Sequence, residues 1–531
     1  MTPQALHSLL LGEQELALLD VREARAYVGG HLNLARMAPL SSLELELRAL
    51  VPRLSTTVVL IDDGSETEGP AARAERLLVR MGYVQVELLE GGTAAWTAAG
   101  LPLIDGYGTL VKAFGGQVLE RHATPTLDGE ALRAQQRSAR PATLVDARPA
   151  DEYAYLSLPG AGNHAGTELA LREWTADASA APWVVNCFSR TRGIVGSTTL
   201  RLLGHPDARF LEDGVMRWAL SGAPVLRNAV PAIELPQAPE AELRRRACTL
   251  IDRHALPLLP SNGLPALQAD TNRTLYLFDL RPGAADDERS GIRAVPGGQL
   301  LMHFENLVGT RKARIVLIDD AHRLRAAVTA FWLIQLGQAD VFILDGDPPI
   351  ARTTGSDGRA AHDAEDAAAQ GTGLSPPDLE SLLHSASART QVVDVGPSAD
   401  YEQRHLPRAS FLLPFTLEPL GALLPDADRI VFTSPDGRAA RRVARDARER
   451  WPARHFGWLR GGTEAWEAAG LPTEAHWAPA QLLTPFEDDW GSVMRVPAER
   501  RQRVWSDYLA WERALSERVM RDPTVRFRFF A

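Results

Sequence analysis

Two cysteines in 531 residues are too few for a disulfide framework, and they fit a reducing compartment. No apolar run approaches the roughly 18 to 20 residues that span a bilayer. Met1 to Leu19 lack a basic start and a small-residue cleavage site, so no secretory signal is expected, and the cytoplasm is the expected location. Positive charge is also in short supply. The 57 Lys and Arg against 67 Asp and Glu leave a formal net charge of −10, which argues against nucleic acid or an acidic membrane as partner. The 13 histidines show no metal-site spacing, so neither a metal nor a cofactor is expected.

What the chain does have is length and repetition. It is too long for one core, and four apolar strands end in an acidic residue: Leu18-Leu19-Asp20, Leu144-Val145-Asp146, Leu277-Phe278-Asp279 and Val392-Val393-Asp394. Each is followed by a helix start and then by a turn of the His-Leu-Pro-Gly-Ala kind, as in Leu158-Pro159-Gly160-Ala161 and His405-Leu406-Pro407. A second apolar strand follows, and the residue just beyond it is Asp62, Cys187, Asp319 or Ser434. These lie 42, 41, 40 and 40 positions after the first Asp (62−20, 187−146, 319−279, 434−394). Gly-x-x-x-Trp closes three units, at Gly92 to Trp96, Gly214 to Trp218 and Gly462 to Trp466, while the third unit lacks the tryptophan.

Short strands alternating with helical stretches predict an α/β fold of four tandem domains, each a central parallel sheet flanked by helices. The expected units are 1–106, 124–229, 240–350 and 372–475. Residues 351–371, without periodicity, read as a linker. The tail, 476–531, carries Trp505, Tyr508, Leu509, Trp511 and Leu515 at helical spacing. It reads as a helix packed on a domain surface, with a partner-binding helix as the alternative.

Cys187 ends its strand at the mouth of a basic loop, Phe188-Ser189-Arg190-Thr191-Arg192-Gly193, which opens a helix. A helix N-terminus and two arginines favour an anion there, so the thiol is expected to be partly ionised near neutral pH and nucleophilic. The other cysteine, Cys248, beside Arg244 to Arg246, reads as a bystander.

These elements together resemble the rhodanese (sulfurtransferase) superfamily, over about four fifths of the chain, in the layout of bacterial proteins that carry four rhodanese domains. The resemblance implies transfer of sulfane sulfur from a small anionic donor such as thiosulfate to a thiol, cyanide or protein acceptor, through a persulfide on Cys187. The backbone N–H groups from Phe188 through Ser189 and Thr191 to Gly193 would cradle the anion. Arg190 and, with more promise, Arg192 would bind sulfonate oxygens. Gly193 would allow close backbone approach.

Asp62 and Asp319 cannot carry a persulfide and Ser434 is a weak sulfur nucleophile, so three units are expected to be non-catalytic. Asp146 and Arg148 recur where the thiol does not, as do the tryptophans, and read as structural. His164 reads as locally satisfied. A phosphatase or arsenate reductase would need Cys-x5-Arg, but residue 193 is glycine. A scaffold or a redox or persulfide sensor without turnover remains the competing reading. The oligomeric state stays open, a dimer included.

Overall fold

The computed structural model describes residues 1–174, 181–287, 290–348, 372–385 and 389–531. The linker expected at 351–371 lies outside the described residues.

The Val-, Ile- and Leu-rich runs form the strands, and they are buried along their length because helices cover both faces of each sheet. The described residues form four five-stranded sheets. In the second unit the order across the sheet is Thr126–Leu127, Ala208–Leu211, Trp183–Asn186, Thr143–Asp146 and Gly162–Asn163, all parallel. The third and fourth sheets repeat this order.

The first sheet departs from it. Its edge beside Leu16–Asp20 is shared by Arg36–Met37 and by Thr310–Arg311, a strand from the third unit that pairs antiparallel. At the opposite edge the N-terminal ammonium donates to the Leu88 carbonyl at 2.8 Å, and the Glu90 N–H donates to the Met1 carbonyl at 2.9 Å. One residue thus stands in for a whole strand. The first and third units are stitched together, not strung as beads.

The packing agrees. One hydrophobic cluster runs through Leu18, Phe114, Phe210, Trp332 and Leu515, which join three units and the tail. The fourth unit keeps its own clusters and meets the first through Arg445 on Glu44 at 2.9 Å and Arg442 on the Ser41 carbonyl at 3.0 Å.

Two helices outside the repeats position the site. Thr109–Arg121 connects the first two units, and Ala498–Met520 lies along it. The tail is one long helix with short 3-10 turns before it, and its last residues are not helical. Gly115 and Gly116 make the close approach possible. A Cβ on Gly115 would meet Thr191 at 2.8 Å, and one on Gly116 would meet Ser516 at 2.8 Å. Trp490, ahead of the tail helix, stacks on Tyr107 at 4.4 Å. Among the described residues no helix is long and apolar enough to cross a membrane.

Candidate active site

The strand Trp183–Asn186 delivers Cys187 to the start of the helix Thr191–Leu202. The Gly193 N–H, in the first turn of that helix, hydrogen-bonds the sulfur. The same bond recurs in every unit. Ala71 N–H donates to Asp62 at 3.1 Å, Ala326 N–H to Asp319 at 3.1 Å, and Ala440 N–H to the Ser434 hydroxyl at 3.3 Å. The repeat therefore holds one side chain on a helix N-terminus four times, and only at 187 is it a thiol.

A second shared device fixes that position. The Val215 N–H donates to the Cys187 carbonyl at 2.9 Å, as Thr93 does to Asp62 and Thr463 to Ser434. The glycine before each donor has positive φ, and a Cβ on Gly214 would fall 2.2 Å from the Cys187 carbonyl oxygen. This is why Gly opens Gly-x-x-x-Trp. The tryptophans then clip the following turn, each indole N–H donating to a carbonyl six residues on: Pro102, Pro224 and Pro472.

Asp146 and Arg148 are wholly buried and forked together at 2.9 and 2.7 Å. Arg148 also donates to the Glu152 and Leu156 carbonyls, and Asn186 donates to Asp146 at 2.8 Å. The pair ties strand ends to the next helix. His164 accepts from the Leu235 N–H at 3.3 Å, and burial pushes it down to about 4. Cys248 is exposed on the helix Glu240–His254.

One expectation about the loop, a partly ionised thiol, is corrected. Cys187 is only 2% exposed, and burial pushes its thiol up to about 11, against the pull of Arg192 and the Gly193 N–H. Desolvation outweighs the helix terminus, so the resting thiol is neutral, not partly ionised. Both arginines already have carboxylate partners. Arg192 is bidentate to Glu152 at 2.6 Å for both contacts, and Arg190 meets Asp213 at 3.2 Å.

The cover comes from elsewhere in the chain. Phe188 lies edge-on to Trp505 of the tail helix at 5.5 Å. Tyr508 and Glu512 of the same helix hydrogen-bond Ser189, and Thr191 reaches Glu512 at 3.5 Å. Arg513 pairs with Asp213. Gly193 packs against the sheet, where a Cβ would meet Phe210 at 2.8 Å.

Sequence reasoning missed Glu152, Asp213 and Glu512. Two of these left a signal. Asp213 replaces the first glycine of the Gly-Gly doublets Gly91-Gly92 and Gly461-Gly462, in the one unit that has Arg190. It adopts a left-handed φ of 55° to do so. Glu152 precedes the helix tyrosine Tyr153, where the first unit has Ala26 before Tyr27.

In the third unit Asp319, Asp320 and His322 bring ligand atoms within 4.8 Å of one another. A cation is already there, because the Arg325 guanidinium lies 3.3 Å from Asp319 and 2.8 Å from Asp320. Arg325 also grips Glu168 of the second unit. Through Arg325 this loop latches the second and third units together.

The rhodanese-like domain model matches residues 2–99 and 129–221. A crystal structure of a thiosulfate sulfurtransferase from Pseudomonas aeruginosa is 32% identical, with a TM-score of 0.86, covering 100% of this chain and 99% of that one. The chain belongs to the rhodanese-like family. Part of the chain is similar to the Alr3790 protein of Anabaena sp., at 29% identity over 20% of this chain and 83% of that one, TM-score 0.19. Another such protein is SseA of Escherichia coli, described with the 3-mercaptopyruvate sulfotransferases, at 18% identity over 42% of this chain and 98% of that one, TM-score 0.20. No curated protein sequence matches the chain.

Proposed function

We propose that this chain is a sulfurtransferase in which Cys187 of the second unit carries the sulfur. The observation that supports it is the fourfold helix-start hydrogen bond, which meets a group able to form a persulfide only at Cys187. The similarity to a thiosulfate sulfurtransferase over the full length supports thiosulfate as donor.

In the first half-reaction the Cys187 sulfur attacks the sulfane sulfur of thiosulfate. The S–S bond of the donor breaks, its electron pair leaves with sulfite, and the thiol proton departs as hydrogen sulfite. A persulfide anion remains on Cys187. In the second, a cyanide or thiolate acceptor takes the outer sulfur and returns the thiolate. Arg192 and the loop N–H groups from Phe188 through Ser189, Arg190 and Thr191 to Gly193 stabilise the anions. For the donor to bind, Arg192 has to exchange Glu152 for a sulfonate oxygen, or hold both. The units around Asp62, Asp319 and Ser434 are structural. Expressed in the cytoplasm, the protein would meet small thiols as acceptors.

The test is thiocyanate formation from thiosulfate and cyanide. Turnover that depends on Cys187 and vanishes in Cys187→Ser supports the reading. Equal turnover in that variant overturns it.

A further inference from the structure

We infer that Glu512, on the tail helix, is a specificity-determining residue of the Cys187 site, a buried carboxyl beside the loop that penalises dianionic donors. This rests on the sulfurtransferase reading of Cys187.

The inert loops show what the fold does with an anion. Asp62 takes N–H groups from Gly64 at 2.9 Å and Ala71 at 3.1 Å, and Asp319 takes those of Asp320 at 2.8 Å and Ala326 at 3.1 Å. In those units a carboxylate belonging to the loop itself fills the place. Cys187 brings no carboxylate, and one arrives from 325 residues further on (512−187). Glu512 accepts hydrogen bonds from Ser189 and Thr191, the two hydroxyls of the catalytic loop. It is 4% exposed, and its Oε2 is buried with no hydrogen-bond partner. A buried acceptor left unsatisfied costs free energy, so this oxygen marks a place where a proton, a water or an incoming group completes the site.

The charges around it define its behaviour. Lys112 from the helix Thr109–Arg121 and Arg190 from the loop favour the carboxylate. Asp213, the Tyr508 hydroxyl and the Cys187 thiol disfavour it. Arg192 acts on Lys112 and on the thiol. Burial is the largest influence and holds the carboxyl above the ordinary range. Below its titration Glu512 is neutral, and a dianion can enter beside it. Above it, a fixed negative charge faces the donor, and the same charge holds the thiol protonated.

Glu512→Gln keeps the shape and removes the charge at every pH. The experiment compares rate constants for sulfur loading of Cys187 by thiosulfate, followed by quenched mass spectrometry, in wild type, Glu512→Gln and Glu512→Asp. The ratio of Glu512→Gln to wild type is expected near one at low pH, and about tenfold above the carboxyl's titration. Alkylation by neutral iodoacetamide reports the thiolate alone and is expected to show a smaller ratio. Glu512→Asp keeps the charge and is expected to follow wild type.

A ratio that is flat with pH overturns the inference. So does an equal ratio for thiosulfate and iodoacetamide, or a Glu512→Asp variant that behaves like Glu512→Gln. If wild type takes up no sulfur on Cys187 at all, the sulfurtransferase reading fails instead, and the two failures are told apart in the same samples.

Discussion

The loop after Val185-Asn186 and the loop after Leu317-Ile318 share a backbone and differ in who supplies the negative charge. At 319 a carboxylate sits on the helix N-terminus, and Arg325 neutralises it while reaching across to Glu168. At 187 a neutral, buried thiol takes the same N–H, and the carboxylates stand around it on Glu152, Asp213 and Glu512. The first arrangement is complete in itself and serves as a joint. The second has its anions on side chains that can be exchanged, which is what a loop needs if it is to hold a substrate and let it go.

The largest expected difference is in stability. Arg325→Ala leaves Asp319 buried without its cation and should cost about 3 kcal/mol, read as a lower denaturation midpoint with Cys187 chemistry retained. An unchanged midpoint would remove the latch from the account.

Reactivity comes next. With the thiol pushed up to about 11, alkylation of Cys187 should keep rising with pH through the range where an ordinary thiol, near 9, has levelled off. At neutral pH its thiolate fraction should be about 100-fold below that of an ordinary thiol. A plateau by mild alkaline pH would mean that the resting thiol is already ionised. Arg192→Gln removes the nearest cation and should slow sulfur loading about tenfold. Glu152→Gln, which frees that guanidinium, should not slow it.

The smallest effect concerns the strand-end acid. Asp20, Asp146 and Asp279 are each forked to an arginine two residues on, but Asp394 is followed by Val395 and Gly396. Without that partner, burial lifts Asp394 to about 7. A carboxyl raised in the folded state binds its proton more tightly than in the unfolded chain. Its stabilising effect is therefore full below about pH 4 and lost as pH rises through 7. Asp394→Asn should flatten that decline in stability, seen in denaturation midpoints across the same window. An unchanged pH profile would place the titration elsewhere.

The α/β fold with its repeated parallel sheets was legible in the sequence, because strand ends and loop residues recur at a spacing near 40, and the same register singles out Cys187 as the one thiol among a serine and two carboxylates. The recurrence of Asp146 and Arg148 is also visible there, and the structure shows the same fork at Asp20 and Asp279. What the sequence could not supply depends on partners far along the chain. The strand at Thr310–Arg311 has too short a pattern to announce that it pairs with Leu16 and Ala17. The thiol's ionisation was misjudged because a helix terminus is local, whereas burial comes from Trp505 and its neighbours more than 300 residues away. Likewise Arg190 and Arg192 were legible as cations, but their carboxylates were not.

Intact-mass spectrometry after incubation with thiosulfate puts the central claim to its most direct test. Wild type and Cys248→Ser are expected to gain one sulfur atom, removable by cyanide, and Cys187→Ser to gain none. Sulfur retained by Cys187→Ser, or absent from a folded Cys248→Ser, would contradict it.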